Sequence, residues 1–527
     1  MSPNQTRSRG SGGALRAEGR SALRLLALGS SNWIPVAAQA GSLLVVTPVL
    51  LSYLGNKGFG IWSLVNSLIG FYGLLRLGIG SGILRYVPFY LQRSDSLSAS
   101  KIVSSGLAAF GFIALLIVGI SQVAAEPVAE FYEGGAALAS LVRIIGIAAG
   151  VECIRRILES CVRAHEAWLP ANLVEATTTI VHGVGLVACV YAGFGLVSLG
   201  YVSVASAVLS LLLITVVYLR TCPQITLRPE FVSREFLRKL VSFGLLTTVS
   251  VIAYGLTMSG HRLIVGKLVS LEAVAFYAVA ATLAVTMERA ATAPVLTFWP
   301  RFAALDAAGS PVESADLLVR GTRYSALLAC GMFGILLVTG PGFIRLWLGP
   351  EYERVTPVLV VLCAGFVIAT STQMMGIYLA GVGRQGVQAL LAGIEAALGI
   401  SLSLLLGLEL GSLGVALGFT VSVVLLRGCV RTLYVSRMNG ISAWRYFSRS
   451  LAPAWLIVAA IAGSAYASGL ARADYGWIGL CALTATTAIT FLVLACLLGI
   501  DRSDRRQLLA SGRRFLSRRP ALGNDGS

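Results

Sequence analysis

An arginine inside an apolar run is the residue type best suited to meet a phosphate there. Its guanidinium stays protonated, carries five N–H donors and can grip phosphate oxygens two at a time. Five arginines of this 527-residue chain stand within apolar runs or at their ends: Arg76, Arg85, Arg143, Arg262 and Arg289. An ionisable group in a membrane span costs about 2.5–3.5 kcal/mol on insertion scales, so such a residue usually faces a cavity or a partner. Arg289 is the sharpest candidate. It lies seventeen residues beyond Glu272, about 25 Å along a helix, with Pro294 just after it to kink the chain. Glu288 points elsewhere, because adjacent helical residues do not share a face.

A second set carries acid–base chemistry. Glu175 and His182 are seven apart and share one helical face, the arrangement of a proton or cation relay or of a satisfied polar contact within a bundle. Glu288 is a third candidate for such coupling. The other carboxylates inside apolar runs are Glu152 and Glu395, with Glu159 near one end, while all seven aspartates fall in loops or tails. Enzyme chemistry has less support. The three histidines (165, 182 and 261) and the absence of an aspartate from every span leave no Ser-His-Asp set. The run GVGRQG at 381–386 matches G-x-G-x-x-G, but it is a turn between two apolar runs with no preceding strand. No zinc spacing occurs among the nine cysteines. We therefore expect no catalytic residue, no metal and no cofactor, with proton or sodium coupling left open.

Positioning these residues falls to membrane helices. The chain is 56% hydrophobic and 12% charged, with a mean hydropathy of +0.81, a composition that belongs to a polytopic membrane protein. The net charge of +17 does not point to nucleic acid, since the basic residues sit in short segments between apolar runs and in the two tails. A helix needs about 20 apolar residues to cross a bilayer. That length predicts fourteen spans: 30–54, 59–76, 102–125, 136–156, 169–192, 195–219, 241–260, 272–298, 322–347, 355–380, 387–407, 411–433, 451–470 and 476–499. With the N-terminus inside, 33 of the 41 lysines and arginines fall on cytoplasmic segments and 6 on outer loops, a strong positive-inside bias. Both termini are expected to be cytoplasmic.

The chain also echoes itself. Residues 58–62 (GFGIW) resemble 273–277 (AVAFY), and the segment from Gly193 (GFGLVSLGYVSVASAVLSLLL) resembles that from Leu408. Two parallel six-helix repeats follow, near 30–220 and 241–434, with two further helices behind them. The expected organisation is a basic cytoplasmic tail (1–29), a first lobe (30–220), a cytoplasmic linker (221–240), a second lobe (241–434), a two-helix appendix (435–500) and a second basic tail (501–527). The hairpin at 48–93 and its counterpart about 215 residues on would face each other across a central cleft, with Arg76 and Arg85 on one wall and Arg262 and Arg289 on the other.

The hairpin at 48–93, the run IRLWLGPEYERVTPVLVVLCAGF (344–366) and the turn YLAGVGRQGVQALLAG (378–393) resemble bacterial polysaccharide transporters. These are the O-antigen and oligosaccharide lipid flippases of the superfamily that also holds multidrug and toxin extrusion proteins and the peptidoglycan-precursor flippase. The resemblance covers most of 30–435. It implies an all-α fold of two pseudo-symmetric six-helix bundles in a V, working by alternating access in the bacterial inner membrane. It also implies a cargo, undecaprenyl-pyrophosphate-linked oligosaccharide, moved from the cytoplasmic to the periplasmic leaflet, with membrane lipids and a polysaccharide polymerase or export complex as partners. A cationic cavity suits a pyrophosphate, which cannot cross hydrocarbon unpaired. A drug-cation antiporter of the same superfamily is the alternative reading, and it would need a buried acidic cluster. A membrane glycan ligase or assembly scaffold is a third, and it would need larger outer loops.

Overall fold

The computed structural model describes residues 31, 33–72 and 79–499. Lipid offers no partners to backbone N–H and C=O groups, so an apolar crossing segment must satisfy them within itself, and the helix is the local solution. The described residues accordingly contain helices and no β-strand. In chain order the α-helices are α1 (Trp33–Tyr72), α2 (Ile79–Leu91), α3 (Ser96–Phe131), α4 (Gly135–Ala164), α5 (Trp168–Tyr191), α6 (Leu196–Thr221), α7 (Arg234–Leu268), α8 (Leu271–Thr292), α9 (Trp299–Ala307), α10 (Pro311–Leu348), α11 (Thr356–Ser371), α12 (Gln373–Gly381), α13 (Gln385–Val423), α14 (Thr432–Met438), α15 (Ala443–Tyr446), α16 (Ala452–Ala467) and α17 (Trp477–Leu494).

Eleven helical segments among the described residues are long and apolar enough to cross a membrane; hydropathy predicts fourteen spans. Two of them run through a turn that sequence reading treats as a loop. In α1 the turn is at Gly55, with φ +66°; in α13 it is at Gly411, with φ +57°. A residue with a Cβ is disfavoured at such φ, so glycine lets the chain reverse with almost no loop. The second expected span falls partly on 73–78, outside the described residues. Several helices outrun the hydrocarbon: α10 has 38 residues, about 57 Å at 1.5 Å each against a core of about 30 Å.

Helices α1 to α6 form one bundle, in which α4 packs on α3 and α6, and α1 on α5. A second bundle is built around α7 against α13, with α8, α10 and α11 completing it; α16 and α17 lie against α10. The outward faces are apolar and bare, as at Leu115 (73% exposed), Val123 (80%) and Ile478 (88%), which is how a surface solvated by lipid looks. The connector between bundles is docked: the backbone N–H groups of Thr226, Arg228 and Ser233 donate to the hydroxyls of Ser100, Ser104 and Ser105 on α3, at 3.0, 3.3 and 3.0 Å.

The bundles meet chiefly along α1 against α8, and α7 of the second bundle also packs on α1, α2 and α3 of the first. From the middle of the first pass of α1 to its Gly55 turn and beyond, the contacts are tight, and their acceptors are uncharged. Gly60 lies so close to α8 that a Cβ there would sit 1.7 Å from the Leu271 carbonyl oxygen. Trp347 Nε1 donates to the Leu44 carbonyl at 2.8 Å, Tyr352 bonds the Asn56 side chain, and Lys267 Nζ donates to the Phe131 carbonyl at 2.9 Å. On the α2 seam, a Cβ on Gly82 would meet Leu240 Cδ2 at 2.8 Å, so Gly82 serves close helix approach.

Candidate functional site

Threonines and an arginine spaced i, i+4 and i+7 make a polar stripe down one face of α8: Thr282, Thr286 and Arg289. The face is turned to α1 and α7. Arg262, six residues from the end of α7, extends along the seam and donates through Nη2 to the Thr282 hydroxyl at 3.0 Å. Arg289 is exposed and donates through Nη1 to the Gln39 side-chain carbonyl of α1. Thr282, which anchors Arg262, and Arg289 are seven residues apart on one face of α8, about two helical turns. Among the described residues, no carboxylate comes within salt-bridge distance of either. Just beyond Arg289, α8 ends at Thr292, the chain turns through Pro294 into a short 3-10 stretch, and α9 follows; the expected break at Pro294 is present.

Behind that stripe lies an ionic chamber. Glu288, adjacent to Arg289, faces inward and is buried. With Tyr254, Gln373, Glu395, Arg427 and Arg431 it lines a cavity of about 170 Å³ inside the second bundle. Arg427 Nε donates to both oxygens of Glu395, at 2.9 and 2.8 Å. Arg431 donates through Nη2 to the carbonyl and hydroxyl of Thr372, at 3.0 and 2.8 Å. Both arginines belong to a widened π-helical stretch, Val424–Arg431, between α13 and α14, and such turns recur where function bends a helix from regular geometry.

The first bundle carries its own network. Arg155 Nε meets Glu152 at 2.5 Å and its Nη2 meets Glu159 at 3.0 Å; Arg163 bonds Glu159 at 2.6 Å and Glu175 on α5 at 3.3 Å. Asn172 extends it to Ser31 at the start of the chain's described part, at 3.1 Å. Three arginines (155, 156, 163) and three glutamates (152, 159, 175) balance one another, and this explains how the charge-rich fourth span is tolerated as the continuous 30-residue helix α4.

The expected site residues therefore separate. Arg262 and Arg289 are brought together on the α7–α8 side of the seam. Arg143 is neutralised by Glu126 of α3 at 2.7 Å near the far ends of their helices. Arg85 is exposed near the end of α2, its guanidinium 5.6 Å from the Tyr86 ring. Arg76 lies outside the described residues. Glu175 and His182 share a helix but not a partner, since Glu175 meets Arg163 while His182 Nε2 lies 3.2 Å from the Ser203 hydroxyl of α6. Arg427 and Arg431, within the expected span 411–433 but counted with the cytoplasmic charges that follow it, are inside the second bundle. The signal for them was present: Glu395 is ten residues past the start of α13 and Arg427 eleven before the end of α14, equal depths on antiparallel neighbours.

Comparison with known proteins places this arrangement in context. The family model described as "Polysaccharide biosynthesis protein" matches residues 49–357. An uncharacterized membrane protein EpsK of Bacillus subtilis (strain 168) is 21% identical over 480 residues, covering 88% of this chain and 93% of its own. Among solved structures, an inward-facing multidrug resistance MATE transporter of the MOP superfamily superposes with a TM-score of 0.66 at 14% identity, covering 78% of this chain and 98% of its own. The lipid II flippase MurJ in an inward closed conformation superposes with a TM-score of 0.65 at 13% identity, over 90% of this chain and 98% of its own. The family match over more than half the chain makes this a multi-span membrane protein of the polysaccharide biosynthesis family, with a fold like that of the MATE and MurJ structures.

Proposed function

We propose that this protein is a flippase for undecaprenyl-pyrophosphate-linked oligosaccharide in the bacterial inner membrane, with both termini cytoplasmic. One observation carries the reading. Arg143, Arg155, Arg156, Arg163 and Arg427 are neutralised by glutamates, whereas Arg262 and Arg289 on the inter-bundle seam are bonded to a hydroxyl and an amide. A guanidinium with a neutral partner keeps its charge for an anion, and a pyrophosphate is the group that needs it in a low-dielectric passage. The polyprenyl tail stays in lipid at the seam while the head group follows the polar stripe of α8, with Arg262 of α7 and Arg289.

The match to a polysaccharide biosynthesis family and the likeness to a structure named as a lipid II flippase support the same cargo class. The ionic chamber with Glu288 is the place where proton or sodium coupling would act. A drug-cation antiporter is less well supported, because Glu152, Glu159, Glu175 and Glu395 are each bonded to arginine. The test is leaflet transport of an undecaprenyl-pyrophosphate sugar in proteoliposomes. Wild type is expected to move it, and Arg289→Ala to lose at least tenfold in rate. Transport that survives Arg289→Ala unchanged refutes the site, and no transport by wild type refutes the cargo.

A further inference from the structure

We infer that Gln39 is a built-in placeholder for the cargo phosphate: its amide oxygen occupies the Arg289 guanidinium while the seam is shut, and a lipid-borne phosphate must displace it. This deepens the flippase reading and rests on it. The bond crosses the seam, from α8 of the second bundle to α1 of the first. It lies near the end of α8 where the chain enters from the side on which α1 begins: Arg289 is three residues from Thr292, about 5 Å along the axis. From that end of α8 a lipid-borne phosphate can approach Arg289 sideways between the bundles. Both partners are exposed, so an approaching anion can reach them without the bundles first separating.

The identity of the partner is what makes the bond exchangeable. An uncharged amide oxygen satisfies a guanidinium donor but leaves its charge uncompensated, so a doubly charged pyrophosphate outcompetes it. A carboxylate in the same place would hold the arginine as Glu395 holds Arg427 or Glu126 holds Arg143. Of the other bonds across the bundles, Trp347–Leu44 is five residues further along α1, about 7.5 Å from Gln39, and Tyr352–Asn56 and Lys267–Phe131 lie beyond the Gly55 turn or at the end of α3. Displacing Gln39 therefore removes a cross-seam tie at the place where cargo enters, and cargo binding and seam release become one event. The cost to the cargo is a reduced apparent affinity, because only the fraction of molecules with the tie open can bind.

The test uses the full chain in phosphatidylcholine nanodiscs, titrated with undecaprenyl pyrophosphate. If the tie is closed about four-fifths of the time, Gln39→Ala tightens the apparent Kd about fivefold, Gln39→Glu weakens it about tenfold or more by adding a carboxylate to the guanidinium, and Arg289→Ala abolishes the difference between the Gln39 variants. In the absence of cargo, deuterium uptake at 33–45 and 280–292 rises in Gln39→Ala and falls in Gln39→Glu. Equal affinities for wild type and both Gln39 variants overturn the placeholder while leaving the flippase reading intact. Loss of affinity in Gln39→Ala equal to that in Arg289→Ala also overturns it, because Gln39 would then be holding the cargo. Absence of binding by wild type overturns both. A second arm replaces undecaprenyl pyrophosphate by phosphatidylglycerol at the same mole fraction; an equal response there assigns the site to bulk anionic lipid and overturns the cargo assignment.

Discussion

At the scale of single residues, the informative contrast is between arginines that are neutralised and arginines that are held in reserve. Arg427 and Glu395 form a buried pair inside the second bundle, with side-chain exposures of 15% and 5%. Removing one member leaves the other charge stranded, at a cost of about 3–5 kcal/mol, whereas replacing both by apolar residues is far less damaging. Glu395→Leu is thus expected to lower the thermal unfolding midpoint in detergent sharply, and Glu395→Leu with Arg427→Leu to recover most of the loss. A double variant as unstable as the single one would mean that Arg427 acts elsewhere. Arg289 needs the opposite treatment: Arg289→Ala leaves the midpoint within about a degree or two, since an exposed bond to an amide contributes little, while transport falls. Sequence reading reached Arg289 because a lone cation deep in an apolar run is conspicuous. It missed Arg427 and Arg431 because a one-dimensional charge count assigns residues near the end of a run to the adjoining loop. Only the antiparallel packing of α13 with the π-helical stretch after it brings Glu395 and Arg427 to one depth.

Among elements, the helices were the most legible part of the chain, and the reason is physical: a backbone in lipid has one local way to satisfy itself, so apolar run length maps directly onto helix. The helix ends were less legible, because nothing in hydropathy marks how far α10 or α7 continues into water. The packing seam was legible only as a pairing of elements: the expected opposition of the first hairpin and its counterpart is met by α1 on α8 and α2 on α7, whereas the residues that make it depend on which faces meet. Gly60 illustrates this. In sequence it is one glycine in a turn-rich stretch, yet it lets the start of the second pass of α1 touch the backbone of α8 at Leu271. Gly60→Ala places a methyl 1.7 Å from a carbonyl oxygen, an overlap that backbone cannot absorb in place. The far seam is expected to stay ajar. Ser67, on the same face seven residues further in and buried, then becomes accessible: in a cysteine-depleted background, Ser67→Cys reacts with a membrane-impermeant maleimide several-fold faster with Gly60→Ala than without it. Unchanged labelling would show that the Gly60 contact does not seal this side.

For the whole molecule, the bonding divides by kind. Within each bundle, charge is paired: Arg155 and Arg163 with glutamates along α4, with Arg163 also reaching Glu175 of α5, in the first, and Arg427 with Glu395 in the second. Between bundles the ties are hydrogen bonds with uncharged acceptors: the side-chain amides of Gln39 and Asn56 and the backbone carbonyls of Leu44 and Phe131, with Lys267 also over the Phe131 ring. Buried ion pairs are expensive to break singly, and neutral bonds in reach of water are cheap to exchange. Such a division suits two stiff bodies that rock against each other, the motion expected of a repeat-built transporter. It predicts a double dissociation. Lys267→Ala with Tyr352→Phe and Trp347→Phe loosens the far seam, so Ser67→Cys labelling accelerates while the unfolding midpoint stays near that of wild type. Glu159→Ala strips a shared partner from Arg155 and Arg163, so the midpoint falls while labelling is unchanged. If the seam variant unfolds as early as Glu159→Ala, the bundles are not independent bodies and the rocking motion has no hinge to act on. If Glu159→Ala accelerates labelling without destabilising, the first bundle's network belongs to the gate and not to its frame.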